Sequence, residues 1–226
     1  MTLLKWVTAK MRLLKELINE SRVIVEDKDG KKNYFIEGIF LQGGIKNRNG
    51  RIYPEGLLDE KVNDYIQSAV ATNRAWGELG HPDTPNINLD RVSHRIIDLR
   101  KEGKNWVGKA RIADTPMGNI AQGLMDTGGS LGVSSRGVGS LSEEDGASVV
   151  QPDFVICTAG DIVADPSAPD AYVESVMEGK EWVIVDGKFT VAAAEAARAR
   201  IKKTPSRRLQ EQALKEFQHF LTQIQL

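Results

Sequence analysis

The sequence predicts an α+β fold, mainly antiparallel, in which helices flank a strand-rich core. Strand-forming runs recur with short turn signals between them, and two segments of 3.6-residue period and ordinary helix length interrupt them. An apolar content of 41% in 226 residues is enough to fill one hydrophobic core. Lys and Arg number 30 against 31 for Asp and Glu, a net charge of -1, which argues against binding nucleic acid through the field of the whole protein. A single cysteine, Cys157, can form no internal disulfide, and three histidines leave no Cys/His zinc set. No apolar run reaches the roughly 20 residues that cross a bilayer. Lys5, Lys10, Arg12, Lys15 and Glu16 break the apolar N-terminal stretch, unlike a secretory leader. The expectation is a soluble, cytoplasmic protein with no membrane partner and no cofactor.

Along the chain, Leu3, Leu4, Val7, Met11, Leu14, Leu17 and Ile18 recur at helical spacing, so residues 1–21 are expected to form an amphipathic helix. From Arg22 the period shortens to two. RVIVED and KKNYFIEGIFLQ, joined by DKDG, read as a strand pair. IKNRNGRIYPEG is rich in turn residues and reads as an ordered loop, after which LLDEKVNDYIQSAV restores the helical period. WGELGHPDTPN is a loop. RVSHRIIDLRKE and NWVGKARIA flank GKN as a hairpin, and TPMGNIAQGLMDTG is a helix with Thr115 as N-cap and Pro116 in the first turn. LGVSSRGVGSLSEED and ASVVQPDFVICTAGDIVAD are β-rich, and the irregular PSAPDAY ends the compact domain near Tyr172. Beyond it, EWVIVDGKFTV is a hairpin around Asp186 and Gly187, and AAAEAARARIKK is an alanine-rich helix. Arg198, Arg200, Lys202, Lys203, Arg207 and Arg208 with the helix breaker Pro205 make a basic linker, too small to carry nucleic-acid binding. Leu209, Ala213, Phe217, Phe220, Leu221 and Ile224 give a last helix an apolar stripe that calls for a partner, another copy of the chain among the choices.

Chemistry can rest on few residues. His81 sits in the loop GELGHP, His94 in a strand and His219 in the terminal helix. A loop on a rigid scaffold favours His81 as a reactive group, although Gly80 and Pro82 can equally shape a turn around a solvated ring. In LGVSSRGVGS, successive side chains of an extended strand point to opposite faces, so only one of Ser134 and Ser135 can meet a given imidazole. A serine becomes a nucleophile when a base such as neutral histidine removes its proton. Arg136 is placed to stabilise negative charge nearby. The same glycine-serine run also suits a strand that merely bends. A third group would fix the imidazole, and Asp153, Asp161, Asp165 and Asp170 all follow the serines. His81, Asp83, Asp90 and His94 offer metal-ligand atoms but no recognised ligand spacing, and Cys157 reads as a small core residue.

Taken together, GIFLQGGIKNRNGRIYP, GELGHP, GVSSRGVGSL and DPSAPDAYV, in that order and spacing, resemble the prohead core serine proteases of T4-like tailed phages. The resemblance runs from about Tyr34 to Val173. It implies a fold like that of herpesvirus assemblin, with a β-barrel-like core. It also implies an endopeptidase that digests scaffold and trims capsid proteins inside the assembling prohead, in the host cytoplasm. By the same resemblance the catalytic histidine falls on His81 and the nucleophile on Ser134. Asp161 in GDIVADPSAP is the third member, where assemblins carry a histidine that this chain lacks until His219. Backbone N–H groups near Ser135 and Arg136 are the expected oxyanion donors. Such proteases cut after Glu with an aliphatic residue two positions earlier, a pattern met at Leu14 to Glu16, Leu209 to Glu211 and Leu214 to Glu216. Residues 1–21 are therefore a separable N-terminal segment, 22–173 the protease domain, and 174–226 a tail removed by self-cleavage. The rival reading is a non-enzymatic head or tail component on the same fold.

Overall fold

The computed structural model describes residues 11–18, 21–28, 31–164, 182–185 and 188–192, together with 198, 200–202 and 214–215. The first element departs from expectation. Residues Arg12–Ile18 are a strand, β1, and not the second half of an amphipathic helix. The seven residues pair in register with a later strand, from Arg12 opposite Gly139 to Ile18 opposite Val133. Leu14 is buried in the core while Arg12 is exposed. A short amphipathic stretch satisfies either period, and an available sheet edge decides the outcome over local helix propensity.

The expected strand pair is β2 (Ser21–Lys28) and β3 (Lys31–Gln42), antiparallel and closing from Lys28 to Lys31 across two residues. The Asn- and Gly-rich stretch that follows is a loop, containing only the two-residue strand β4 (Arg51–Ile52). Helix α1 (Glu55–Tyr65) continues through a π turn at Ile66–Val70. Its buried residues Leu58, Val62 and Tyr65 lie four and three apart, the spacing of one helix face. A short strand, β5 (Trp76–Glu78), leads into the histidine loop. The expected hairpin is β6 (Val92–Glu102) and β7 (Asn105–Ile112), turning at Gly103 with φ of +62°. Helix α2 (Pro116–Asp126) starts where Thr115 Oγ1 accepts the Gly118 N–H at 3.1 Å and donates to the Val92 carbonyl at 2.6 Å. β8 (Gly132–Gly139), β9 (Leu141–Glu144), β10 (Ala147–Val150) and β11 (Val155–Val163) follow. β12 (Trp182–Val185) and β13 (Lys188–Val191) pair as the expected hairpin. Most of the alanine-rich segment and of the terminal helix, His219 included, lies outside the described residues.

The strands form a five-stranded sheet, β2-β3-β7-β6-β5, a three-stranded sheet, β1-β8-β11, and a small sheet, β4-β10-β9. All these pairings are antiparallel except β4 with β10. One core serves the two larger sheets. Phe40 and Ile96 from the first meet Leu14, Val133 and Ile162 from the second, with Leu58 and Val62 of α1 and Ala121 of α2 around them. The barrel-like core is the second correction: among the described residues no sheet closes. β5 is three residues long, and only an isolated parallel bridge, Leu79 with Ile162, links the two sheets beyond it. A closed barrel needs a continuous ladder around its circumference, and the loop after Glu78 interrupts it. Removing the α2 cap in Thr115→Ala should lower the unfolding free energy by about 1 kcal/mol, read as an earlier urea midpoint with an unchanged slope.

Candidate active site

β8 and β11 bring the first two functional groups together through their register. Ser134 stands opposite Asp161 in the antiparallel ladder, and directly opposed residues project from the same face of a sheet. The period of two places Arg136 on that face as well, and Ser135 on the other. β11 shifts register twice, between Ile156 and Thr158 and between Thr158 and Asp161. Such irregularities re-aim the residue that follows them. Here the Thr158 hydroxyl and the Gly160 backbone bond one another within the kink, at 3.2 and 3.3 Å.

The third group arrives on the loop after β5. Gly80 adopts φ of +78°, a conformation that glycine reaches without a Cβ penalty. Its N–H donates to the Ile162 carbonyl at 2.7 Å, which anchors the loop to β11 one residue before His81. His81 Nδ1 then lies 3.0 Å from Asp161 Oδ2, and His81 Nε2 lies 3.1 Å from Ser134 Oγ. Burial opposes the Asp161 carboxylate, but His81, the Arg136 charge and the Glu78 N–H outweigh it and hold its pKa below the usual carboxylate range. An ionised carboxylate only accepts hydrogen bonds. Nδ1 therefore carries the proton, leaving Nε2 to accept the Ser134 hydroxyl. Burial also pushes the His81 pKa down, against the pull of Asp161, so the ring is neutral, the form that can accept a proton.

Arg136 has a different place from the one expected. Its side chain has no exposure, and it sits behind the relay, not in front of it. Nε donates to Asp161 Oδ2 at 2.9 Å, one terminal nitrogen donates to Glu78 Oε1 at 3.2 Å, and the other donates to the carbonyls of Thr84 and Asn86. A guanidinium so committed is not available to a substrate oxyanion, which corrects the expected role of that side chain. Asp153 instead accepts from the Ser140 backbone and hydroxyl, both at 2.9 Å, and Asp165 and Asp170 lie outside the described residues. Cys157 is half-buried, and loss of solvation pushes its thiol up to about 12.

Three participants carried no signal of this role in the sequence. Glu78, in GELGHP, is fully buried, accepts the Asn88 N–H at 2.8 Å and donates its own N–H to Asp161 Oδ1 at 2.9 Å. The sequence reads WGELGHPDTPN as a loop, whereas Trp76–Glu78 is strand and buries this charge three positions before His81. His94 lies beneath the site, with Nε2 donating to the Gly160 carbonyl at 2.9 Å and Nδ1 accepting from Ser93 Oγ at 2.9 Å. Gly77 makes room for that ring, since a Cβ there would fall 2.2 Å from His94 Nε2. Lys15 of β1 reaches the Asp83 carboxylate and, at 3.5 Å, the His81 carbonyl.

A serine hydroxyl, a neutral imidazole and a buried carboxylate joined in this order form the kind of site by which serine hydrolases activate their nucleophile, set here on a strand-rich α+β scaffold. The chain belongs to the prohead core protein serine protease family, whose sequence pattern matches residues 10–181. It is 38% identical over 158 residues to the prohead core protein protease of Enterobacteria phage T4, covering 66% of this chain and 74% of the relative. The solved structure of the bacteriophage T4 capsid assembly protease superposes with a TM-score of 0.64 at 33% identity, covering 69% of this chain and 99% of that one.

The buried histidines give the fold a pH signature. Burial depresses both His81 and His94, so the unfolded chain, with histidines near 6.5, binds protons that the native state refuses. Their stabilising contribution is complete above about pH 6.5 and is lost as pH falls from there through the depressed native values. Urea unfolding should accordingly show a free energy flat between about pH 7 and 8 and declining below about 6.5, by up to about 1.4 kcal/mol per pH unit for each histidine. A profile flat down to about pH 4.5 would contradict the burial of these rings in their neutral form.

Proposed function

We propose that the chain is a serine endopeptidase of prohead maturation in which Ser134 is the nucleophile, His81 the general base and acid, and Asp161 the residue that orients and supports the imidazole. The hydrogen-bonded sequence from Ser134 through His81 to Asp161 carries this reading. Ser134 Oγ attacks the peptide carbonyl carbon while His81 Nε2 takes its proton. The collapsing tetrahedral intermediate expels the amine, which receives that proton from His81. Water, deprotonated by the same nitrogen, then attacks the acyl ester, and as the bond to Ser134 Oγ breaks and the acid leaves, His81 returns that proton to the serine. Backbone N–H groups at Ser135 and Arg136, adjacent in the chain to the nucleophile, are the proposed oxyanion donors. No cofactor takes part in this chemistry.

The substrates we propose are the scaffold and capsid proteins of an assembling phage prohead in the host cytoplasm, in keeping with the family and with the names of the T4 relatives. We likewise place the fold with herpesvirus assemblin, a reading supported by the antiparallel, strand-rich core and by the chain order of His81 before Ser134. An alternative as a non-enzymatic head or tail component leaves the Ser134 to His81 contact without a purpose. A serine-directed fluorophosphonate separates the two. Wild-type protein should be labelled at Ser134, whereas Ser134→Ala and His81→Ala should lose on the order of 10⁴-fold or more in labelling or cleavage rate while remaining folded. Folded wild-type protein that resists labelling and leaves co-assembled scaffold intact would favour the structural component.

Self-processing is the second part of the proposal. The pattern Leu14 to Glu16 lies in β1, where Glu16 pairs with Ser135 and Leu17 with Ser134. The bond after Glu16 is thus carried on the strand next to the nucleophile, and β1 must leave the ladder for that bond to be cut. The patterns at Leu209 to Glu211 and Leu214 to Glu216 fall in the tail, whose basic stretch and last helix we propose attach the precursor to scaffold or to a second copy. Intact-mass spectrometry after assembly should find termini shortened at these glutamates in wild type and full-length chain in Ser134→Ala. Equal trimming of both would assign the cuts to another protease.

A further inference from the structure

Of the buried ionisable groups outside the Ser134–His81–Asp161 relay, Arg136 and Glu78 have the most connections. Both are entirely buried. Transferring either charge alone from water into a protein interior is expensive, and removing one partner of a buried pair leaves the other uncompensated. Arg136 nonetheless reaches three separate segments. It lies two residues from the serine on β8, binds Asp161 on β11, and bonds both the Glu78 carboxylate of β5 and the Thr84 and Asn86 carbonyls of the loop that carries His81. Glu78 reaches back by its own N–H to Asp161 and by its carboxylate to the Asn88 N–H at the far end of the same loop.

We infer that Arg136 and Glu78 are positioning residues that fasten the His81 loop to the serine and aspartate strands and, as a charge pair, set how strongly Asp161 supports positive charge on His81. The inference rests on the catalytic assignment proposed above. Its electrostatic content follows from counting charges. Asp161, Glu78 and Arg136 together carry -1, the same charge as an aspartate alone, so Glu78 offsets the damping that Arg136 exerts on Asp161. The other groups facing the imidazole and its partner are Lys15 from β1, Asp83 on the loop, Arg91 beside Glu78, the buried His94 and Tyr65, and the half-buried Cys157. Lys15 and Asp83 form a pair, His94 is held neutral by burial, and Arg91, 3.5 Å from Glu78 Oε2, is 42% exposed, so solvent screens its charge. The cluster of three is therefore the part that substitution can tune.

The sign works out differently for each substitution. Arg136→Met leaves two carboxylates near His81 and stabilises its protonated form, so the imidazole titrates at higher pH. Glu78→Gln leaves Arg136 pulling on Asp161 alone, so the imidazole titrates at lower pH. The double variant restores -1 and should return the titration close to wild type. Each single shift should be about one pH unit, the size of one charge interaction at this range. The measurement is an NMR titration of His81 in the full chain, assigned by comparison with His81→Ala, beside the pH dependence of fluorophosphonate labelling. Native near-UV circular dichroism is the check on folding, and Arg136→Lys is added because it keeps the charge but not the fork.

Arg136→Lys should keep the His81 titration near wild type and still label at least about tenfold more slowly, because the lysine cannot hold Asp161 and the loop carbonyls at once. Opposed shifts in the single variants, with recovery in the double, establish the pair. Shifts in the same direction, or none in folded variants, overturn it. If Arg136→Met fails to fold, Glu78→Gln and the double variant decide through the downward shift and its reversal. Should wild type fail to label, the catalytic assignment falls, while the NMR titration still tests the charge coupling by itself.

Discussion

A carboxylate shut off from solvent is the constraint that shapes the centre of this molecule. Asp161 has no exposed surface, and an ionised group in that position persists only if surrounding donors replace the water it lost. The structure supplies these from three directions: the His81 ring, the Arg136 guanidinium and the Glu78 main chain. Much of the local architecture follows. The kink in β11 aims the carboxylate, the gap left by Gly77 admits the His94 ring that holds the Gly160 carbonyl, and the short β5 ends where its Glu78 must bind Asp161.

The same constraint explains the orientation of the chemistry. With both Asp161 oxygens occupied, Oδ1 by the Glu78 N–H and Oδ2 by His81 and Arg136, the carboxylate cannot rotate without breaking several bonds. The imidazole is then fixed in one tautomer with Nε2 turned to Ser134. An isolated serine and histidine at similar distance would sample many arrangements, few of them productive. The network that fixes the ring ends in Arg136 and Glu78, both fully buried.

The sequence disclosed the local parts of this arrangement better than the long-range ones. β2, β3, β6, β7 and α2 follow from period and punctuation, and Thr115 caps α2 because Ser and Thr before a proline-led helix supply an oxygen to its first free N–H groups. That Ser134 and Ser135 face opposite ways follows from strand geometry, as does the sharing of one face by Ser134 and Arg136. Asp161 stands out among four aspartates by its apolar neighbours Ile162 and Val163 and by the motif GDIVADPSAP, but its pairing with Ser134 is not legible, because that register depends on the β11 irregularity. β1 is not legible because an amphipathic seven-residue stretch fits helix and strand alike, and the edge of β8 that decides between them belongs to a segment more than a hundred residues away. The sequence places Arg136 near the serine as a charge able to stabilise an anion, but it does not show the two carboxylates that engage it.

These separations also determine when the site can exist. His81 and Ser134 stand 53 positions apart, and His81 and Asp161 80. Neither the five-stranded sheet nor the three-stranded sheet alone contains all three groups. The relay forms only when the loop after β5 docks on β11, which requires both sheets to share the core built from Phe40, Val133 and Ile162. β1 is different. It lies at the sheet edge, contributes none of the three groups, and touches the loop through Lys15. Its Leu14 is nonetheless buried in the shared core and all seven of its residues pair with β8, so the proposed cut after Glu16 requires these contacts to be given up first.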